Sequence, residues 1–394
     1  MSFWSDPIGV IASWLEGLLL GWGLSREVAQ ILLIAVGVVV LITALMVFDI
    51  LLVWIERKVV SRFQDRLGPN RVGPFGLFQP FADVLKLITK EDITPQGAEK
   101  FLYNLAPILS LVSVLLVWAV VPLAATVIGV DLNVALVYLV AVGALGTLSI
   151  IMAGWASNNK YALLGAFRQV ATMIAYEIPM VVTLLIPTIL AGTMGMKGVV
   201  EAQRVWFVVL SPLAMLIFLI AAVAELGRAP FDLNEGESEI VAGYHIEYSG
   251  MKFGLFFAGE LLHAFTFGVL IGILFFGGWN GPLPFGERYA LIGLANVLLK
   301  GLFFYWVIMW IRYTLLRIRI DHMLYFSWKF LTPLSLVLLM VTALMHSLLR
   351  QAPYPLYALA LFLANVLIAW VTVEILRRYS HQERVRLEGA AQRS

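Results

Sequence analysis

The sequence predicts an all-α polytopic membrane protein, a helical bundle of about nine transmembrane helices with the N-terminus outside and the C-terminus inside. Three observations predict it. Of 394 residues, 61% are hydrophobic and 13% charged, where a soluble domain has about 25% charged residues. Nine stretches supply the roughly 20 mainly apolar residues that a helix needs to cross the hydrocarbon core. Finally, 21 of the 27 lysines and arginines fall on one set of alternate connections. Barrel strands would instead give short alternating segments.

The predicted spans are 31–54, 104–124, 132–153, 169–192, 206–226, 253–277, 291–315, 331–350 and 354–376. The first stops where Glu56 and Arg57 open a long charged loop. The second and third are joined by only a few residues, as are the eighth and ninth. The fourth contains Pro179 and Pro187, and the fifth runs between Arg204 and Arg228. Residues 10–24 read as a surface helix or an extension of the first span. Asp6, Glu16 and the lack of a basic leading segment argue against a cleavable signal peptide. Residues 1–376 form one membrane domain. The last span reads as an uninterrupted add-on helix, followed by a charged, disordered tail at 377–394.

Orientation follows from the basic residues. Loops 55–101, 154–168, 227–252 and 312–330, with the tail, hold the 21; the other face holds Arg26, Lys197, Arg204, Arg288 and Arg350. Basic residues accumulate inside, so these loops are cytoplasmic. A net charge of +2 points to no nucleic-acid partner. With no cysteine, the chain offers no disulfide, thiolate metal site, covalent haem attachment or iron–sulfur ligation.

Ionisable residues inside the spans stand out, because each costs about 2.5–3.5 kcal/mol at mid-membrane. They are Asp49, Glu177, Glu225, Glu260, His263 and Lys300. Asp49 and Glu225 lie near span ends and read as reaching the interface. His263, one turn after Glu260, reads as its hydrogen-bonded neighbour. Glu177 and Glu260 lie deep, and Pro179 frees a backbone carbonyl that calls for polar company. Several buried carboxylates with one lysine suggest a proton path; inter-helix hydrogen bonding is the plainer reading. Between spans, 225–250 reads ELGRAPFDLNEGESEIVAGYHIEYSG, with Asp232, Glu235, Glu237, Glu239 and Glu247 on the face where cations are the norm. Such close carboxylates share protons, and the interleaved aromatics argue against a freely solvated loop.

WIERKVVSRFQDRLGPNRVGPFGLFQPFADVLKLITKED (54–92) is specific. It is joined by GWASNNKYALLGAFRQVATMIAYE (154–177), AELGRAPFDLNEGESEIVAGYHIEYSGMKFGLFFAGE (224–260), FGGW (276–279) and WIRYTLLRIRIDHM (310–323). Together they resemble one family of membrane subunits of proton-pumping NADH–quinone oxidoreductase, respiratory complex I. Its mitochondrial counterpart is the first ND subunit. The resemblance covers roughly 30–345. It implies eight shared spans and a ninth outside them, in a bacterial cytoplasmic membrane. It implies quinone (ubiquinone or menaquinone) as substrate, with no flavin, haem or iron–sulfur cluster on this chain. Implied partners are lipid, the soluble subunits that carry the terminal iron–sulfur cluster, and small and antiporter-like membrane subunits. Glu56, Arg57, Arg66, Phe78, Asp83, Arg228 and Asp232 would belong to the quinone chamber and its entrance. Tyr176, Glu177, Glu225, Glu235, Glu237, Glu239, Glu247 and Glu260 would couple quinone chemistry to proton translocation, with Arg168 as a polar neighbour, and Glu91 would stand with the polar positions of the first loop. The chain departs from the family at Ala144, where some members have a glutamate, at Gly259, and at Leu316 and Asp321–His322. Two other readings are a homologous subunit of a membrane-bound hydrogenase or a ferredoxin- or deazaflavin-linked complex, and a stand-alone ion transporter. The last predicts an internal repeat, and none is detectable.

Overall fold

The computed structural model describes residues 6–232 and 240–391, the last thirteen as backbone only. The described residues are helical, with no strand among them. In chain order the helices are α1 (Pro7–Gly21), α2 (Arg26–Phe63), α3 (Gln79–Thr89), α4 (Lys100–Val117), α5 (Ala135–Ala156), α6 (Lys160–Ala191), α7 (Met196–Glu201), α8 (Phe207–Leu210), α9 (Pro212–Glu225), α10 (Gly250–Phe275), α11 (Ala290–Thr314), α12 (Ile320–Phe326), α13 (Thr332–Leu349) and α14 (Tyr354–Ala391). A π-helical turn, Ser327–Leu331, joins α12 and α13 into one run. Eight helices among the described residues are long and apolar enough to cross a membrane. The fifth expected crossing, 206–226, is broken into α8 and α9.

Local chemistry sets the ends. Asp6 caps α1, its Oδ1 accepting from Gly9 N at 2.9 Å. A turn at Gly23 (φ 83°) then folds α1 back on α2, where Glu16 meets Arg26 at 3.5 Å. Residues 10–24 thus form a separate helix rather than a longer first span. The Asn159 side chain caps α6, and Gly192 ends it in the left-handed conformation that suits glycine.

α10 is the centre of the bundle. Its most apolar stretch is 78% buried, against 6% for α2. Gly268 of α10 makes this packing possible at the crossing with α11: a Cβ there would lie 2.6 Å from the Gly301 carbonyl. Small residues that let backbones approach are the usual device for helix contact in lipid.

In hydrocarbon every freed backbone group needs a protein partner, and two breaks show how this is met. Pro179 cannot donate to Ala175 O, and Ser327 Oγ of the π turn donates to it at 2.6 Å. Next to it, Tyr176 Oη donates to Met323 O at 3.0 Å. Pro212 marks the second break. Ser211 is extended there (φ −141°), and Leu210 O accepts from Asn365 Nδ2 of α14 at 3.2 Å. Ser211 Oγ lies 3.3 Å from Asn365 Oδ1. The last helix is therefore not an independent add-on: its buried amide seals the broken crossing. Its backbone also stays helical through Ala391, where the sequence predicts a disordered end.

The loops rich in lysine and arginine gather at one end of the bundle, called here the basic end. Glu99 N donates to Ala156 O (3.1 Å) and Ile318 N to Pro230 O (3.0 Å). Lys252 meets Asp92 at 3.0 Å.

Asn365→Leu is expected to cost about 1 kcal/mol, the scale of an inter-helix hydrogen bond in a membrane. Hydrogen exchange should rise across 207–215 while α2 is unchanged, measured by mass spectrometry on the purified protein.

Candidate functional site

Asp49 and Glu56 lie seven residues apart on α2, two turns along one face, and both are buried. Three residues of α11 converge on Glu56. Arg312 Nη1 donates to its Oε1 at 2.7 Å, Tyr313 Oη at 2.8 Å, and Tyr305 Oη donates to Oε2 at 3.1 Å. From the opposite side comes Arg228. Gly227, in the left-handed region (φ 60°), turns the chain sharply after α9, and the Arg228 side chain enters the bundle with 1% of its surface exposed. Its Nε donates to Glu260 Oε1 of α10 at 3.0 Å, and its Nη1 lies 3.8 Å from Glu56 Oε1. Burial alone works against the guanidinium charge, but Glu56 and Glu260 more than reverse this and raise its pKa above the ordinary value. Arg228 is a permanent cation between two helices.

Behind Glu260 lies a cavity of about 70 Å³ lined by Gln169, Glu225, Glu260, His263, Ser110 and Ser113, among others. Glu225 Oε2 and Gln169 Oε1 are buried without a protein hydrogen-bond partner. A space of this size, with these polar groups on its wall, holds several waters. Glu177, half-buried on α6, is close enough for its charge to act on Glu225. The polar groups thus form a chain from Glu56 through Arg228, Glu260 and the cavity to Glu225 and Glu177.

Several expectations change. Asp49 does not reach an interface: it is 5% exposed, with Oδ1 unpartnered. Glu225 does not snorkel but ends α9 inside the bundle. The His263 ring stacks on Phe267 at 4.6 Å and is not hydrogen-bonded to Glu260. Lys300 is not the cation of this network. At the opposite end, its Nζ donates to the carbonyls of Phe276, Gly278 and Asn280, capping the FGGW turn. Ala144 is exposed on α5 while Gly143 and Gly146 line the cavity, so the position with a glutamate in some members faces away from it. At Gly259 an added Cβ would meet only ordinary contacts. Leu316 is 89% exposed and Asp321 pairs with Arg319 at 3.6 Å, so neither is packed in the core.

The first loop forms a separate part. Trp54 Nε1 donates to Phe75 O at 3.2 Å. Gly76 (φ 77°) admits no side chain, since a Cβ would sit 2.2 Å from Pro69 O. Arg57 pairs with Asp83, pinning α3 to α2. Phe78, Phe81, Leu85 and Ile88 make an exposed apolar stripe along α3, whose other face sets Leu87 against Gly254 of α10. Arg66 bonds Gln64 locally and does not join the buried cluster. Glu91 contributes its backbone carbonyl, accepting from Ser249 Oγ at 3.4 Å. Arg168 borders an apolar surface hollow with Lys160 and Phe167.

The acidic loop divides. Glu247 accepts from Asn159 Nδ2 at 2.7 Å, and its backbone carbonyl accepts from Tyr103 Oη at 2.6 Å. It fastens the loop to α4 and α6, away from the cavity. Asp232 is half-buried at the edge of the described chain; Glu235, Glu237 and Glu239 lie outside the described residues. Tyr176 packs near Phe231 at 5.1 Å, with its hydroxyl committed to Met323 O. Sequence reasoning missed Tyr305, Arg312 and Tyr313, although their spacing places them on one face of α11. It also missed Gln169 and His245. His245 sits in the loop against Phe253; burial lowers its pKa, against an opposing pull from Glu260.

A family model described as NADH dehydrogenase matches residues 35–343. The chain belongs to the NADH dehydrogenase family. Three relatives in the family are each named as the H subunit of NADH-quinone oxidoreductase. The protein from Dehalococcoides mccartyi strain CBDB1 is 47% identical over 308 residues, covering 78% of this chain and 85% of the relative. Those from Geobacillus kaustophilus and Brevibacillus brevis are 48% and 45% identical, covering 74% and 79% of this chain and 87% and 93% of theirs. The NADH dehydrogenase match takes in the whole polar chain from Asp49 to Arg312 and stops before α14, so the seal at Asn365 lies outside it.

Two outcomes follow from the geometry. Arg228→Met takes the cation from half-buried Glu260 and one of two cations from buried Glu56 and is expected to cost about 1–3 kcal/mol, read as loss of assembled protein in membranes; Arg228→Lys should recover part of it. For His245, a folded pKa below the unfolded one means its contribution is present above about pH 6.5 and is lost as pH falls toward the folded value. Thermal stability should therefore drop as pH falls below about 6.5, and less so in His245→Gln.

Proposed function

We propose that this chain is the membrane subunit of a proton-translocating NADH–quinone oxidoreductase, and that it forms the quinone chamber and couples quinone reduction to proton movement. The arrangement that carries this reading is Arg228 held between Glu56 and Glu260, with a cavity of several waters' volume joining Glu260 to Glu225. The high identity to proteins named for NADH and quinone favours it over a hydrogenase-type relative.

The substrate is amphiphilic, and the first loop offers both characters. The apolar stripe Phe78, Phe81, Leu85 and Ile88 suits an isoprenoid tail entering from lipid. Arg57, Asp83 and Arg66 surround the polar side of the same loop, and Asp232 stands in the loop that follows Arg228. Ubiquinone and menaquinone both fit these requirements. Electrons would come from a soluble partner that carries the terminal iron–sulfur cluster, because this chain has no cysteine. Two electrons and two protons convert the quinone to quinol.

The coupling is electrostatic at its first step. Two unit charges about 4 Å apart in a partly buried setting interact by roughly 4 kcal/mol. An anion formed near Glu56, or a proton taken up there, alters the balance on Arg228, which is shared with Glu260. Glu260 then exchanges a proton with Glu225 across the cavity, and Glu225 with Glu177. The charge change reaches α6, on the way to antiporter-like membrane partners. Tyr176 positions α6 through Met323, and Glu247 holds the acidic loop in place. Glu235, Glu237 and Glu239 would feed protons from the loop. In this reading residues 1–376 form the membrane domain in a bacterial cytoplasmic membrane, and the basic end, with the tail 377–394, faces the cytoplasm.

Glu260→Gln and Glu225→Gln should each slow quinone-coupled proton pumping by about tenfold or more in membrane vesicles. Reduction of an artificial acceptor at the flavin end should stay at the parental rate. Pumping at parental level in both variants would remove the coupling role.

A further inference from the structure

Between α13 and α14 runs an apolar groove of about 340 Å³ that the quinone reading does not use. Leu334 and Val337 line one wall, Leu367 and Val371 the other. It spans about 12 Å from residue 329 to residue 337 at the helical rise. The hydroxyl on its wall, Thr372 Oγ1, donates to Ile368 O at 2.7 Å, so its hydrogen is not available to a ligand along the groove's length.

Its end toward the basic loops is different. Lys329 lines that end, and its Nζ rests 4.1 Å above the Tyr325 ring. The π turn sets this orientation: Ser327 faces inward to Ala175 O, so a residue two further on faces away from α6, toward α14. Arg377 directly follows Leu376, which lines the same end. Among the described residues neither Lys329 nor Arg377 is paired with a carboxylate, whereas Arg378 is taken by Glu374 at 2.9 Å. An apolar slot with Lys329 at one end, and Arg377 next in the chain to its last lining residue, is complementary to a molecule with a hydrocarbon chain and a negative head.

We infer that the α13–α14 groove is a binding site for one anionic phospholipid, with an acyl chain along Leu334, Val337, Leu367 and Val371 and its phosphate at Lys329 and Arg377. Basic residues beside a membrane helix attract anionic headgroups, and the slot adds a fixed place for the chain. The site needs only that the protein spans a membrane, and stands apart from the coupling role.

The test uses the whole detergent-purified complex, delipidated and titrated with phosphatidylglycerol or phosphatidylcholine under native mass spectrometry. The wild type should retain one more phosphatidylglycerol than the Lys329→Gln/Arg377→Gln double variant, with apparent affinity about tenfold higher, and Lys329→Arg should keep it. Leu367→Trp, which fills the slot without touching a charge, should also lose that lipid. Equal retention of the two lipids by the wild type overturns the site, and this arm holds even if a variant fails to assemble. So does retention unchanged in both the double variant and Leu367→Trp. A quinone or a protein segment found in the groove overturns it as well.

Discussion

One guanidinium is buried where lipid-embedded bundles seldom keep a charge, and the basic end of the protein is arranged to hold it. Arg228 reaches carboxylates on two helices that are far apart in sequence, Glu56 on α2 and Glu260 on α10. Glu56 in turn draws Arg312, Tyr313 and Tyr305 from α11. Three helices and the loop after α9 are thus tied through one charge network. Breaking a buried pair leaves an uncompensated charge, so the position of each helix depends on the others. The same network borders the part of the described core where an unpartnered carboxylate oxygen faces space for water.

The rest of the bundle answers a different constraint, the lack of water for backbone groups. At three departures from regular helix, side chains from distant segments meet the freed carbonyls. Ser327 takes the carbonyl that Pro179 abandons, Asn365 takes Leu210 O at the break before Pro212, and Lys300 takes three carbonyls of the turn after α10. These contacts put polar residues inside apolar helices for structural reasons. Lys300 and Asn365 show that a polar residue in a span need not belong to the proton path. Glu225 and Gln169 differ from them in having oxygens without partners beside a cavity.

Much of the site was legible in the chain. Glu56, Arg228, Glu225 and Glu260 are visible as charges at or within apolar runs, and the long motifs at 54–92 and 224–260 point to a family. What was misread shares a cause. Asp49 and Glu225 look peripheral when depth is counted along a single helix, yet α2 extends to Phe63 and the loop after α9 folds inward. Arg312 looks like an ordinary stop-transfer residue, because nothing in its neighbourhood reveals that α11 lies against Glu56. The last helix looks uninterrupted because one asparagine barely changes its hydropathy.

The sequence by itself determined the class of the protein and eight of its nine expected crossings, because the membrane imposes a fixed length of apolar chain. It also determined which acids are costly to bury. Only the tertiary structure decided which charges meet. Coulomb partners are set by distances between helices, and the glycine contacts at Gly268 and Gly301 and the turn at Gly227 fix those distances. That is why Arg228 serves Glu56 and Glu260 together, while Lys300, equally conspicuous in the chain, caps a turn at the opposite end.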